Sequence, residues 1–383
     1  MHVLVLPKWY PGLPDPQLGD FIRKQMMAVA QLHQVSVIYP CPVSLPMANE
    51  EILDHTDGAW ELRCYYRPST VGFMPFRKIL NYIRYRRAVR VGVARLLHER
   101  GLPDLVHAHI LTRPVLTAFM LSRKWKIPYM ASEQSSVHLN GTWQRKGGMA
   151  KAIDRFLFRH ASRTTAVSAH LAAALEQAGL GRDHAVVPNV IPGMDRPLPP
   201  PGPHDHFMLV ADLVDSTKNV SGTLRALASA RAHGHDLHLE VIGDGPDREL
   251  LHQLAEQLGV GPHVRWHGRL PQADVLTAMA GTGTVIINSN FETFSVVTGE
   301  ALASGKPVIA TRCGGPEAFI TPENGVLIPV GNDDALRDAM VRIAQEHSRY
   351  SPGTIRASVS QRFSPQAVAK AFDAVYREAI AHG

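Results

Sequence analysis

The sequence predicts an α/β protein built from two Rossmann-like, doubly wound domains in tandem, and three observations carry that reading. Short runs rich in Val, Ile or Tyr alternate with amphipathic helical stretches over nearly the whole chain, the pattern of parallel sheets covered on both faces. The length of 383 residues suits two domains at roughly 150 residues each. Between the two alternations lies Pro192–Pro203, with six prolines in twelve positions. Proline fixes φ and lacks an amide proton, so this stretch extends neither a helix nor a central strand and reads as a linker.

Taken in order, strands are expected at 3–7, 35–40, 104–109, 128–133, 163–167 and 185–188, with 60–67 a further candidate. After the proline segment they are expected at 206–211, 237–242, 264–268, 284–288, 307–311 and 325–329. The domains therefore run 1–190 and 191–364, and the last helix, 365–383, is long enough to pack back onto the first. In doubly wound folds ligands sit beyond the carboxyl ends of the strands, and here a cleft between two such sheets is expected.

Apolar residues make up 45% and charged residues 19%, which excludes a disordered chain, and no apolar run reaches the ~18 residues of a membrane span. The N-terminus reads straight into a strand rather than a signal peptide. Three scattered cysteines, Cys41, Cys64 and Cys313, suit a reduced cytosolic protein and argue against a disulfide framework or a Cys-rich zinc site. The formal charge of +6 conceals an asymmetry: residues 1–190 carry 24 Lys+Arg against 13 Asp+Glu, and residues 191–383 carry 16 against 21. A basic first half points to an anionic partner.

The most informative segment is Asn290–Thr311. A strand feeds a loop holding Glu292, and the following helix carries Glu300 eight residues later. Carboxylates accept hydrogen bonds from vicinal hydroxyls, which suits a sugar and a ribose. The N–H groups of Ser295, Val296 and Val297, at the helix start, offer an anion site for a diphosphate. Upstream, Leu209–Asn219 brings Lys218 to a loop and helix, where its charge can steady a diphosphate leaving group.

Asp104-Leu-Val-His-Ala-His109 ends a strand, so His107 and His109 share a face. A metal pair, two satisfied strand-end histidines and a ligand-facing His109 are all compatible with that pattern. The loop Leu6–Phe21 contains Gly19 at a helix start, where the backbone can approach a ligand. It is neither a Walker A nor a GxGxxG loop, which argues against NTP hydrolysis and NAD binding. Trp9 and Tyr10 could stack on a sugar ring or pack inside, and Glu133 ends a further strand at the same edge. Phe73–Arg100 reads as a basic amphipathic helix, and Arg145–Arg159 is a second basic region; both fit an anionic membrane surface or an exposed helix face. No nucleic-acid-binding signature accompanies them.

These segments, with Val167-Ser168, Val187-Pro-Asn189, Val241-Ile-Gly-Asp-Gly-Pro246, Val264-Arg-Trp-His-Gly268 and Cys313-Gly-Gly-Pro-Glu-Ala318, resemble in order and spacing the retaining nucleotide-sugar glycosyltransferases of GT-B architecture, family 4, also called glycosyl transferases group 1. The resemblance covers essentially the whole chain. It implies that Glu292 contacts the donor sugar hydroxyls, Glu300 the ribose, and Lys218 the diphosphate, with His109 near the transferred bond. It implies further donor contacts at Gly19, Asn219, Gly243, Phe294, Ser295 and Val296, and an acceptor side at Trp9, Tyr10 and Glu133. Asp212, also a donor-side position, stands where the family usually carries an arginine, so an anion replaces a cation; turning away, binding the sugar or acceptor, and pairing with another cation are all compatible with that.

The function so implied is transfer of a sugar from a UDP- or GDP-sugar to a glycan or lipid-linked acceptor, with retention, without metal or other cofactor, and without nucleic acid. The expected location is the cytoplasm, at the inner face of the membrane. Two alternatives are a nucleotide-sugar epimerase of the same fold and a non-catalytic partner subunit.

Overall fold

The computed structural model describes residues 1–44, 51–54 and 58–381, with backbone alone at 51–54. They form two units: Met1–Val190 together with Pro365–Gly383, and Ile191–Ser364. The chain thus passes from one unit to the other twice.

The first unit is built on eight strands: β1 (His2–Pro7), β2 (Gln34–Pro42), β3 (Glu51–Asp54), β4 (Ala59–Tyr66), β5 (Leu105–His109), β6 (Tyr129–Glu133), β7 (Arg163–Ala166) and β8 (Ala185–Val186). Their order is β3-β4-β2-β1-β5-β6-β7-β8, parallel except for the antiparallel β3. Every residue of β1, β4, β5 and β6 is buried, which is why these strands read as continuous runs rather than alternating ones. The candidate strand at 60–67 is β4. The edge strand β3 was not expected from the sequence, and residues 45–50 and 55–57 beside it lie outside the described ones.

The last helix, Pro365–Ala381, belongs to this unit. It buries Val368, Ala369, Phe372, Val375, Tyr376 and Ala379, a stripe at helical spacing, in one core with Ile22, Met26 and Val29. Helix Met74–Glu99 buries Tyr85, Val89, Val93 and Leu96 toward its C-terminal half, and Gly92 lets it approach the sheet: a Cβ there would lie 2.7 Å from Ile38 Cγ2.

The second unit has six parallel strands: β9 (His206–Val210), β10 (His238–Ile242), β11 (Val264–Gly268), β12 (Thr284–Ile287), β13 (Val308–Thr311) and β14 (Gly325–Ile328). Their order, β11-β10-β9-β12-β13-β14, reverses direction between β9 and β12. The first sheet reverses likewise between β1 and β5. Such reversal points open the crevice that ligands use.

The proline segment corrects one expectation. It is a fixed strap on the second unit, not a free spacer: Lys306 Nζ donates to the Pro200 carbonyl at 3.2 Å and Arg356 Nη1 to the Arg196 carbonyl at 2.7 Å. At Gly202 a Cβ would lie 2.0 Å from the Thr282 carbonyl oxygen, so the strap runs against backbone. Proline there removes conformational freedom from a path that is already set. Among the described residues no helix is long and apolar enough to cross a membrane.

Candidate active site

In the second unit the loops after β9 and β12 flank the reversal point. The β12 loop is tied down by its own backbone: Asn290 N–H donates to the Thr217 carbonyl, Glu292 N–H to the Cys313 carbonyl, and Gly315 N–H to the Glu292 carbonyl. Asn288 Nδ2 donates to the Asn219 carbonyl at 3.0 Å, and Asn219 itself sits in the left-handed region between two helices, at φ 47°. These ties deliver Lys218 to Glu292. Lys218 Nζ lies 2.6 Å from Glu292 Oε1, and Ser289 Oγ donates to the same oxygen at 2.8 Å. Both charged side chains keep partial access to solvent.

Helix Val296–Ala303 starts at Ser295, whose backbone is left-handed with φ 69°, and no side chain caps it. Ser295 Oγ turns instead to Thr298 Oγ1, 2.8 Å away. The first N–H groups of the helix therefore keep their capacity to bind an anion. Glu300 is buried, and Gln272 Nε2 donates to its Oε1 at 2.6 Å. Phe294 corrects an expectation in part: its ring is buried against Phe319 and Phe363, so a donor contact at this position falls to its backbone.

One glycine shapes the neighbouring loops. Gly243 follows β10 with φ 144°, and a Cβ there would lie 1.8 Å from the Ala211 carbonyl oxygen. Beside it, Asp212 pairs with Arg269, whose Nη2 lies 3.1 Å from Asp212 Oδ1. The loop after β11 thus brings a cation to position 212. Arg269 lies one residue beyond Val264-Arg-Trp-His-Gly268, the segment that resembles the family, so that pattern does not include it.

In the first unit, β1 and β5 end side by side, with Lys8 N–H donating to the His109 carbonyl at 3.2 Å. Gly19 starts helix Asp20–Val29 at φ 71°, and a Cβ there would lie 2.4 Å from the Trp9 carbonyl. Past β5 the backbone is strained: Ile110 has φ 70° and Thr112 φ 123°, both β-branched residues in a region they avoid. Strain of this kind clusters at functional sites.

His109 is fully buried, and burial holds its imidazole at about 3, so it is neutral. Its proton can be placed. The Pro188 carbonyl only accepts, so Gln25 Nε2 donates to it at 3.0 Å and Gln25 Oε1 accepts from Gln134 Nε2 at 2.8 Å. The same amide nitrogen faces His109 Nδ1 at 3.3 Å, which must then accept. The proton is on Nε2, which has no partner among the described residues. His109 is a neutral hydrogen-bond donor held in one tautomer. His107 is satisfied on both sides, by Tyr376 Oη at 2.9 Å and Ser132 Oγ at 2.7 Å, so the two histidines divide the readings that their sequence left open.

Two acceptor-side expectations need correction. Tyr10 is buried and its hydroxyl donates to the buried Glu61, so its ring cannot stack on a sugar. Glu133 is fully buried and accepts from the N–H groups of Leu111, Gln134 and Ser135 and from Ser135 Oγ. Burial raises its carboxyl, but His138 and these N–H groups outweigh burial and hold it at about 2. It organises the strained loop and has no free face for an acceptor. Trp9 stays half-buried, with Lys8 Nζ 5.0 Å from its ring centroid.

Two family models match this chain: "Glycosyltransferase Family 4" over residues 25–192 and "Glycosyl transferases group 1" over residues 200–351. The lipopolysaccharide core biosynthesis glycosyltransferase LpsD of Rhizobium meliloti is 28% identical over 334 residues, which is 76% of this chain and 94% of that protein. Among solved structures, the lipopolysaccharide outer core galactosyltransferase WaaB matches with a TM-score of 0.70 at 20% identity, over 99% of this chain and 100% of that one. Anabaena HepE in complex with UDP matches with a TM-score of 0.71 at 18% identity, over 98% and 100%. The two sheets have the topology of the GT-B fold, and both halves carry the family's sequence. The chain belongs to the group 1 glycosyltransferases of family 4 and is a glycosyltransferase.

Proposed function

We propose that this enzyme transfers a hexosyl unit from a UDP- or GDP-sugar to a glycan or lipid-linked acceptor, with retention of configuration. The observation that carries the donor half is the Lys218–Glu292 pair beside the uncapped helix start at Ser295, a cation and N–H donors for a diphosphate next to a carboxylate for sugar hydroxyls. Arg269 adds a second cation near the same loops. In the transfer, the bond between the anomeric carbon and the diphosphate oxygen breaks, and its electron pair leaves with the phosphate. The acceptor oxygen bonds to that carbon on the same face, and its proton passes to the departing phosphate oxygen. Lys218 and the helix N–H groups stabilise the growing charge, the largest single contribution in many such reactions. His109 Nε2–H is available to a sugar or acceptor oxygen. This scheme calls on no metal and no dissociable cofactor.

The acceptor half rests on charge and surface. Helix Met74–Glu99 exposes Phe76, Ile79 and Ile83 among Arg77, Lys78, Arg84, Arg86 and Arg87, and helix Gly148–Arg159 exposes Met149, Ile153 and Phe156. Basic residues interleaved with exposed apolar ones fit an anionic membrane carrying a lipid-linked acceptor, at the cytoplasmic face. Incubating the protein with a panel of UDP- and GDP-sugars, with and without lipid-linked acceptors, tests both halves. Nucleotide release that depends on acceptor is the expected result. Conversion of the donor sugar without any acceptor would replace this reading by an epimerase.

A further inference from the structure

Six of the 20 histidines lie in three short segments: His204 and His206, then His233, His235 and His238, then His263. The segments lead into β9, β10 and β11, three neighbouring strands, so they meet at the amino edge of the second sheet. That edge is about 16 Å, five residues of strand, from the carboxyl edge that carries Asp212 and Gly243.

His206 and His238 are register partners across β9 and β10 and so share a face. Their rings are 5.1 Å apart, and one ligand atom from each lies within 4.8 Å of the other and of an Asp205 oxygen. The backbone beneath them is fixed: His238 N–H donates to the Asp205 carbonyl at 2.9 Å, and Gly283 N–H donates to the His206 carbonyl at 3.0 Å. All three side chains are partly exposed, open to an entering ion. The His263 ring stands 5.6 Å from that of His238.

We propose that Asp205, His206 and His238 form a zinc site at the amino edge of the second sheet, with His263 in reach as a fourth ligand. Two imidazoles and one carboxylate are a zinc ligand set. Bonds of about 2.1 Å in a tetrahedral centre put ligand atoms about 3.4 Å apart, so closing the site takes roughly an ångström of side-chain rotation. Asp236 lies beside it, 3.5 Å from His238 Nε2, with its Oδ1 held by Arg231 Nη1 at 2.7 Å. The guanidinium offsets part of the local negative charge. The site joins the starts of two central strands to the turn before β11, which makes it a clamp on the donor unit, separate from the transfer chemistry.

The test uses the full chain without a histidine tag, stripped with chelator and titrated with zinc chloride by calorimetry, with metal content measured after dialysis. The expected result is one zinc per chain and a rise in melting temperature on adding zinc. His206→Ala and His238→Ala should each weaken binding about tenfold or more and remove that rise, whereas His170→Ala, at an exposed position in the first unit, should leave both unchanged. Melting in chelator should match the parent protein; where an alanine variant falls short of that, His238→Gln serves in its place. Nucleotide release in chelator should also be unchanged, so failure of the zinc site and failure of the proposed transfer reaction are told apart. No stoichiometric uptake, or equal uptake by the His206→Ala/His238→Ala double variant, would overturn the proposal.

Discussion

Lys218 Nζ and Glu292 Oε1 stand 2.6 Å apart, so the lysine is held against the enzyme's own carboxylate. On the proposed function, a diphosphate entering this site would compete with Glu292 for that lysine and free the carboxylate for sugar hydroxyls, so one contact would link leaving-group binding to sugar binding.

Loss of either half is expected to lower kcat, with a distinct effect of the carboxylate on product binding. Lys218→Ala should lower kcat about 100-fold or more, because it removes charge that matters most in the transition state. Glu292→Gln should also lower kcat, yet it should bind the nucleoside diphosphate product more tightly, since the lysine no longer has a competing anion. Steady-state kinetics and product-inhibition constants check both, and wild-type turnover by Lys218→Ala would remove its leaving-group role.

Arg269→Ala should raise KM for the donor about tenfold, equivalent to ~1.4 kcal/mol, with a smaller effect on kcat. Its pair with Asp212 is exposed, so urea unfolding should shift by no more than about 1 kcal/mol. An unchanged donor KM would reduce this ion pair to a surface contact.

His109→Ala should lower kcat with little change in stability beyond that of a cavity. Gln134→Leu removes the amide that fixes the tautomer, so it should lower kcat in the same direction by a smaller factor. Equal activity of Gln134→Leu and the parent enzyme would mean that the proton position on His109 does not matter to transfer.

Acid should destabilise the first unit. Burial keeps the folded His109 at about 3, against 6.5 for a free imidazole, so the unfolded chain takes up its proton first. Its neutral form costs nothing above about pH 6.5 and becomes a penalty as pH falls from there toward 3. His107, lowered by burial and by His109 beside it, acts in the same direction. Glu133 adds stability that is complete above its free value of 4.5 and is lost as pH falls through about 2. Melting temperatures at pH 7.5 and pH 5 should therefore drop for the parent protein and drop less for His109→Gln.

Gly243→Ala should destabilise the second unit by more than about 3 kcal/mol, since its φ of 144° and the Ala211 carbonyl at 1.8 Å leave a Cβ no place. Denaturant unfolding measures this directly.

The central strands were legible because a sheet covered on both faces demands unbroken apolar runs, and runs such as Val3–Leu6 and Val285–Ile287 leave little choice. The short edge strand β3 has no such demand on its outer side and left no pattern. At the site, Lys218 and Glu292 could be named as candidates because each follows a short apolar strand run and precedes a helical stretch. Arg269 could not: its partner Asp212 is 57 residues away, and only the order of β9, β10 and β11 brings them together. Burial was the other blind spot. Tyr10 and Glu133 have the chemistry of surface contacts, yet each has a buried polar partner set that sequence does not display.

The last helix has a consequence for how the protein is made. Phe372 and Tyr376 complete the core of a unit whose other residues end at Val190, and Tyr376 Oη closes the hydrogen bond to His107. A ribosome delivers the first unit's eight strands early but its closing helix only after all of the second unit. The second unit, contiguous from Ile191 to Ser364, can finish folding while its elder neighbour still waits with an open hydrophobic groove. Synthesis order and completion order are therefore reversed, and a chain cut short at Ser364 would leave the first-made unit, rather than the last-made one, exposed to chaperones and proteases.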